Sequence, residues 1–432
     1  MANNMNIFIR TFGCQMNKLD SDLILDRLLD MGYRETDNEK DADIILFNTC
    51  SVRKHAEDRV YDNLRTLKPL KDKNPRLIIG LVGCMAEKEK TKALEKIPFL
   101  DIICGPNQEQ GIPEMIEEIR KTHTKIIRTG DGENRIGKRT TAGLSAFVLA
   151  MKGCNNFCSY CVVPYVRGKE TSRPMEKIVD EVKMLAEKGT KEITLLGQSV
   201  TSYIDKANKL SHLLQAVHAI DGIKRIRFVT SHPAHMTEDV FKAIQALPKI
   251  CPHLHMPAQS GSDKILKAMN RKYNRKDYLT LVEKARDAVP EIEIASDFIV
   301  GFPGETESDF QDTASLIKEA RFLNSFVFKY SSRPGTAASK LDDDVPYPVK
   351  QERNKILLDI QSRISEEKNR HLVGKQVEIL AQGKSKTNPK TQTGRTRQNH
   401  IVIFNSPDDL TGQLVKVKIT SATALSLRGE PA

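Results

Sequence analysis

Apolar and polar positions follow two rhythms along the chain. In the first 121 residues, strand-length apolar runs (NIFIRTF, DIILFNTC, RLIIGLVGC) alternate with helical patterns such as SDLILDRLLDMGY and a charged stretch from about Val52 to Leu70. Such alternation predicts a parallel sheet with crossover helices. The segment THTKIIRTGDGENRIGKRTTAG has no apolar period and places a boundary near residue 140. Six strand candidates follow: AFVLAM, EITLLGQ, IRFVTS, HLHMPAQ, IEIASDFIVGF and SFVFKYSS. Between them lie helical patterns such as Leu210, Leu213, Leu214 and Val217. Six βα units predict a partial, open (β/α)6 barrel. A charged helix with Ile356, Leu357, Ile360 and Ile364 on one face leads to the short runs QVEILAQG, HIVIF and LVKVKIT, a small all-β module. The fold expected is therefore α/β: a parallel α/β domain over 4–121, the partial barrel over 140–369, and a small β-barrel over 371–432.

Composition narrows the setting. The 432 residues are 39% hydrophobic, which excludes a disordered or collagen-like chain. No apolar stretch approaches the roughly 18 residues needed to cross a bilayer, and MANNMNIFIRTF enters a strand pattern without a signal-peptide core. A cytoplasmic protein without a membrane partner is expected. Eight cysteines in that compartment should be reduced, which leaves core residues, metal ligands or catalysts. The net charge of +11 raises the prospect of a polyanionic partner. It is densest in the last 62 residues, with nine basic side chains against four acidic.

The sharpest chemical signal is Gly153-Cys154-Asn155-Asn156-Phe157-Cys158-Ser159-Tyr160-Cys161, directly after the strand AFVLAM. Three thiolates this close cannot share one disulfide. A structural zinc site would want a fourth ligand, which VVPYVRG does not offer, although zinc stays open as an alternative. Three ligands on a four-iron cluster leave one iron free to bind something else. The aromatic Tyr160 and the position at a strand's carboxyl end suit a barrel-mouth active site. A second set, Cys14 in TFGCQMN, Cys50 in FNTCSV and Cys84 in LVGCMA, follows the first three strands. Ligands of parallel sheets gather beyond the carboxyl ends of strands, so these three are candidates for a second cluster. Each alone could equally be a small apolar residue ending a strand. Cys104 is the nearest rival ligand; it and Cys251 read as structural.

The C-x3-C-x2-C spacing resembles the radical S-adenosylmethionine superfamily. The order of a three-cysteine α/β domain, a radical domain and a small β module resembles its methylthiotransferase family over nearly the whole chain. TFGCQMN, NTCSVR, GCNNFCSYCVVPYVRGKETSRP, LLGQSVTSY, HLHMPAQSGS, FIVGFPGETESDF, YSSRPGTAA and TGRTRQNHIVIF are similar to the branch acting on N6-isopentenyladenosine next to the tRNA anticodon. Ser199 and Ser332 depart from that branch's pattern, where Asn and Pro are expected. The resemblance implies that Cys154, Cys158 and Cys161 hold a radical-generating [4Fe-4S] cluster and Cys14, Cys50 and Cys84 an auxiliary one. It implies two molecules of S-adenosylmethionine per turnover: one methylates a cluster-bound sulfur, and the other yields the radical that replaces the C2 hydrogen of adenine 37 with a methylthio group. It also implies a low-potential electron donor such as flavodoxin or ferredoxin, a sulfur source, and a monomer.

The remaining barrel-mouth candidates for cofactor binding are Tyr160, Gly197, Gln198, Arg271, Gly301, Pro303, Gly304 and Glu305. Arg167, like Arg271, is a candidate for carboxylate or phosphate contacts, and His232 and His235 read as loop residues rather than a metal pair. Lys384, Lys386, Lys390, Arg395 and Arg397 lie in one loop-rich stretch of the terminal module, which resembles an RNA-binding TRAM domain. Their expected task is phosphate tracking on the anticodon stem-loop. The competing functions are methylthiolation of a threonylcarbamoylated tRNA or of a ribosomal-protein aspartate, and a non-enzymatic iron–sulfur RNA-binding protein.

Overall fold

The computed structural model describes residues 5–51, 54–132, 142–385 and 388–432. It divides into two compact units: Met1–Ala142 with Lys152–Asn155 and Cys161–Thr171, and Gly143–Met151 with Asn156–Tyr160 and Ser172–Ala432. Among the described residues no helix is long and apolar enough to cross a membrane.

In the first unit, β1 (Asn6–Phe12), β2 (Arg34–Glu35), β3 (Ile44–Thr49), β4 (Ile78–Gly83), β5 (Ile102–Cys104) and β6 (Ile126–Arg128) form one sheet in the order β2-β1-β3-β4-β5-β6. Every neighbouring pair is parallel. The central strands are apolar at nearly every position because helices cover both faces, and all six residues of β3 and of β4 are buried. The connections include α1 (Gln15–Asp30), α2 (Lys54–Arg65), α3 (Lys68–Lys73) and α4 (Cys84–Glu89). The charged helix expected to run to Leu70 is broken after Arg65, and Pro69, which lacks an N–H, sits in the first turn of the new helix.

In the second unit, β7 (Ser145–Leu149), β8 (Glu192–Leu196) and β9 (Arg225–Val229) form one parallel trio, and β10 (His253–His255), β11 (Glu293–Val300) and β12 (Asn324–Lys329) another. A single parallel bridge, Ile226 to Ile250, spans the junction of the trios. All six expected strands are present. Helix α5 (Tyr347–Arg370) lies along the edge strand β12, and its buried face is mostly polar: Gln361 Nε2 donates to Phe322 O (2.9 Å) and Ser365 Oγ to Leu323 O (2.7 Å), just before the strand begins. Within β12 itself, Asn354 Nδ2 donates to Val327 O (2.8 Å) and satisfies an edge carbonyl that would otherwise invite another chain. After it come β13 (Gln376–Lys384), β14 (Gln392–Thr396), β15 (Ile401–Phe404), β16 (Leu414–Ala422) and β17 (Leu427–Pro431), a closed five-stranded barrel around Ile379, Val402, Phe404, Val417 and Leu427.

Candidate functional site

Phe12, Thr49 and Gly83 stand in register across β1, β3 and β4. One or two residues further on, each strand delivers a cysteine: Cys14 caps α1, Cys50 follows β3, and Cys84 opens α4. The crossing is tight. A Cβ on Gly13 would stand 2.8 Å from Cys50 Cβ, and Gly83 has φ +88° with Thr49 O 2.8 Å from where a Cβ would be. Small residues are needed before both cysteines if the three thiols are to meet. Cys14 donates to Asn17 Oδ1 (3.3 Å), and the hydrogen bond with the Cys50 side chain brings the Cys14 thiol down to about 6, aided by the Arg167 charge and opposed by burial. Cys84 is buried, which pushes its thiol up. Arg167 Nε donates to Cys84 Sγ (3.1 Å) while Arg167 Nη2 meets Asp20 Oδ2 (2.6 Å). An open pocket of about 470 Å³ lies over Cys14, lined also by Thr11, Gly13, Lys18 and Ser21.

Three soft thiols with a helix start under two of them make a donor set suited to an iron–sulfur cluster that keeps one iron open. Cys104, the rival ligand, is fully buried in the sheet's core, with its thiol against Gly105 O. Cys251 is buried as well. Among the described residues no three His, Cys, Asp or Glu side chains crowd one point closely enough for a single metal ion.

Each unit also carries part of the C-x3-C-x2-C loop. In the first, Cys154 N donates to Gly168 O (3.2 Å). In the second, Ser159 is pinned by its N–H to Met269 O (3.0 Å) and by its O to Ala338 N (2.7 Å), and Tyr160 packs against Met269, Phe302 and Tyr330. Arg271 is buried and makes three bonds: Nη1 faces Cys158 Sγ (3.5 Å), Nη2 donates to Pro257 O (2.7 Å) and Nε to Tyr273 Oη (2.7 Å). His235 Nε2 meets Asn156 Oδ1 at 2.8 Å.

The other candidates are placed as follows. Gly197 and Gln198 follow β8. In the turn after β11, Gly301 N–H donates to Glu305 Oε1 (2.9 Å) and Gly304 N–H to Asp344 Oδ1 (2.7 Å). The Glu305 carboxylate is buried and also holds Arg353 Nη1 (2.8 Å), so it braces the turn. Ser199 bonds Ser202 Oγ (2.8 Å). In the terminal barrel Lys384 and Lys390 are exposed. Arg395 and Arg397 are half-buried, reaching Asn399 Oδ1 (3.1 Å) and Ile250 O (2.9 Å). Lys386 lies outside the described residues. Sequence reasoning had no role for Asp20, Asn17 or Asn48. Asn17 and Asn48 form a buried network, with Asn17 Nδ2 to Asn48 Oδ1 at 3.1 Å, and both sit inside the cysteine motifs, a signal that was available.

Family comparisons agree with this division. Residues 148–317 match the radical SAM superfamily, 6–105 the uncharacterized protein family UPF0004, and 370–432 the TRAM domain. Relatives named tRNA-2-methylthio-N(6)-dimethylallyladenosine synthase align end to end. That of Acetivibrio thermocellus is 46% identical over 430 residues, 98% of this chain and 90% of the relative. That of Clostridium novyi is 47% identical over 99% of this chain and 96% of the relative. The chain belongs to this family. A Moorella thermoacetica member of the synthase family is 44% identical over 98% of this chain and 97% of its own length. Two solved structures share the fold: the radical S-adenosylmethionine methyltransferase TsrM from Kitasatospora setae (TM-score 0.55, 15% identity, 78% of this chain and 77% of that one), and the cobalamin-dependent radical enzyme OxsB (TM-score 0.54, 11% identity, 84% and 56%).

Proposed function

We propose that this protein is a radical S-adenosylmethionine methylthiotransferase that converts N6-isopentenyladenosine (N6-dimethylallyladenosine) next to the tRNA anticodon, at position 37, to its 2-methylthio derivative. Kinship over almost the whole chain supports the substrate. The observation that supports the chemistry is that Cys14, Cys50 and Cys84 each follow the carboxyl end of one of three adjacent parallel strands, with the Cys14 and Cys50 side chains hydrogen-bonded, in a chain that also has the Cys154, Cys158, Cys161 triad.

Adenine C2 has neither a leaving group nor an acidic proton, so acid–base catalysis has little to act on. Iron–sulfur clusters and S-adenosylmethionine would supply electron transfer, a radical and a transferable sulfur. Two [4Fe-4S] clusters are proposed, one on each cysteine triad. The protein's part is positioning. Cys154, Cys158 and Cys161 hold the radical centre, and Arg271 steadies Cys158. Cys14, Cys50 and Cys84 hold the sulfur-bearing centre, and Arg167 steadies Cys84. The Gly197–Gln198 and Gly301–Glu305 turns shape the barrel mouth where the cofactor binds. Lys384, Lys386 and Lys390 track tRNA phosphates. A low-potential flavodoxin or ferredoxin, an external sulfur source, a monomeric state and a cytoplasmic setting complete the reading.

Paired variants test it. After anaerobic reconstitution, Cys14→Ala should keep reductant-dependent cleavage of S-adenosylmethionine and lose methylthiolation of an isopentenylated anticodon stem-loop, whereas Cys154→Ala should lose both. Equal loss in the two variants would refute the division of labour.

A further inference from the structure

Three polar side-chain atoms at the mouth of the barrel are buried without a partner: Gln198 Oε1, Ser231 Oγ and His232 Nε2. They are neighbours by register. Leu196 of β8 pairs with Val229 of β9, and two residues beyond that pair stand Gln198 and Ser231. Two hydrogen bonds stitch the loops together, Val200 N to Thr230 O (2.9 Å) and His232 N to Thr201 Oγ1 (3.1 Å). Ser231 and His232 are 3% and 5% exposed, so bulk water does not reach them. Between the strand and these residues Thr230 has φ +67°, a conformation a β-branched residue adopts only when its surroundings impose it. Strain of this kind gathers at binding sites.

The chemistry of the three atoms can be read. His232 Nδ1 accepts from Ala234 N (3.3 Å), so the proton of the neutral ring is on Nε2, which is then a donor lacking an acceptor. Burial and the nearby Arg271 and His235 hold the imidazole near a pKa of about 2, which keeps it neutral. Gln198 Oε1 is an acceptor, and the Ser231 hydroxyl can serve as either. Arg271, the nearby cation, spends one donor of each of its nitrogens on Tyr273, Cys158 and Pro257, and the three unpartnered groups themselves are all uncharged. The ligand these groups fit is neutral, planar enough to enter between two loops, and offers an acceptor beside a donor. An adenine ring does so: its ring nitrogens accept, and its exocyclic nitrogen keeps one N–H even when alkylated. The location is next to the radical loop, since the His232 ring lies edge-on to Tyr273 at 5.9 Å and Tyr273 bonds the Arg271 that faces Cys158.

We propose that Ser231 and His232, with Gln198, form a neutral donor–acceptor subsite that grips the nitrogen edge of an adenine ring. The inference rests on the functional reading above, which supplies two adenine sources: S-adenosylmethionine and the tRNA nucleoside. The test uses reconstituted holoenzyme without reductant, with labelled S-adenosylmethionine and a fluorescent anticodon stem-loop carrying isopentenyladenosine as probes. His232→Leu should weaken binding of one of them roughly 5- to 10-fold, the worth of one neutral hydrogen bond, and His232→Gln, which restores an N–H, should recover much of it. Loss confined to the cofactor assigns its adenine to the subsite; loss confined to the RNA assigns the substrate base. Changes below about twofold for both, at native iron content, would overturn the subsite. Should His232→Leu fail to fold, wild-type enzyme decides with analogues of each ligand lacking N1, N3 or N7 in turn: one should bind roughly 5- to 10-fold more weakly, and equal binding of all overturns the proposal. Wild-type enzyme that binds neither parent ligand would refute the functional reading instead.

Discussion

Arg167→Met is expected to loosen the cysteine end of the first unit, and the structure sets the size of the effect. The Arg167 side chain is 2% exposed, and its guanidinium makes two bonds, to Asp20 Oδ2 at 2.6 Å and Cys84 Sγ at 3.1 Å. Methionine keeps the length and apolar bulk but leaves the Asp20 carboxylate, with its side chain 10% exposed, without its cation. Breaking a buried ion pair from one side costs about 3–5 kcal/mol. The double variant Asp20→Asn/Arg167→Met removes both charges and should regain about 2 kcal/mol or more of that loss, a coupling in the range seen for groups in direct contact. The chain has no tryptophan, so fluorescence is a poor probe. Hydrogen exchange measured on peptides of α1 in apo-protein reports local opening directly, whether or not the two units unfold together. Iron loading gives a second readout, since removing a partner of a metal-binding side chain typically weakens metal affinity about 10- to 100-fold. Exchange within about 0.5 kcal/mol of wild type, or a double-variant cycle that is simply additive, would refute the view that Arg167 neutralises Asp20 and steadies Cys84.

Glu305→Ala should lower the thermal midpoint, because Arg353 loses its buried partner and keeps only the exposed Glu307 carboxylate at 3.3 Å, a cost below the roughly 3–5 kcal/mol of a fully stranded buried charge; weakened cofactor binding at unchanged stability would instead make Glu305 a ligand contact. Burial, with the Lys368 charge, lowers the His400 imidazole to about 4, so the fold holds it neutral while the unfolded chain takes up a proton first as pH falls. The stability it contributes is therefore full above about pH 6.5 and lost on the way down to about 4, roughly 3 kcal/mol in all; thermal midpoints between pH 7.5 and 4.5 should show this fall, and His400→Gln should flatten it. Lys384→Ala/Lys390→Ala should make the salt dependence of tRNA binding shallower by about 1.4–1.8 in log–log slope, two phosphates' worth. Arg397→Ala should leave that slope alone and reduce stability, as read by binding titrations and melting curves, because its Nη2 is bonded to Ile250 O.

How far the sequence was legible depended on the range of each interaction. The cysteine positions could be read because each depends on local pattern: an apolar run ends, a Gly or Asn follows, and the thiol is at the carboxyl end of a parallel strand. The radical loop was legible for the same reason, being nine consecutive residues. Partners far apart in the chain were not. Arg167 and Asp20 are 147 residues apart, Arg271 and Cys158 are 113 apart, and no periodicity links them. Charge alone marks Arg395 and Arg397 as phosphate candidates, and what charge could not show is that both are half-buried, with bonds to Asn399 Oδ1 and Ile250 O. Arg227 Nη2 donates to Thr396 O (2.8 Å), so the β14 end that carries them is tied down on the larger barrel. Two strands of the small barrel, QTGRT and LRGEP, escaped the apolar pattern because glycine, arginine and proline occupy them, and it is the closed pairing that makes them strands. His232 read as a loop residue because a missing hydrogen-bond partner is visible only in three dimensions.

The central claim, that this chain methylthiolates isopentenyladenosine in tRNA, is tested most directly by nucleoside mass spectrometry of tRNA from cells lacking the protein. The account predicts that N6-isopentenyladenosine accumulates in place of its 2-methylthio form, and that the wild-type chain restores the methylthio nucleoside while Cys154→Ala does not. An unchanged nucleoside profile in the deletion strain would contradict it.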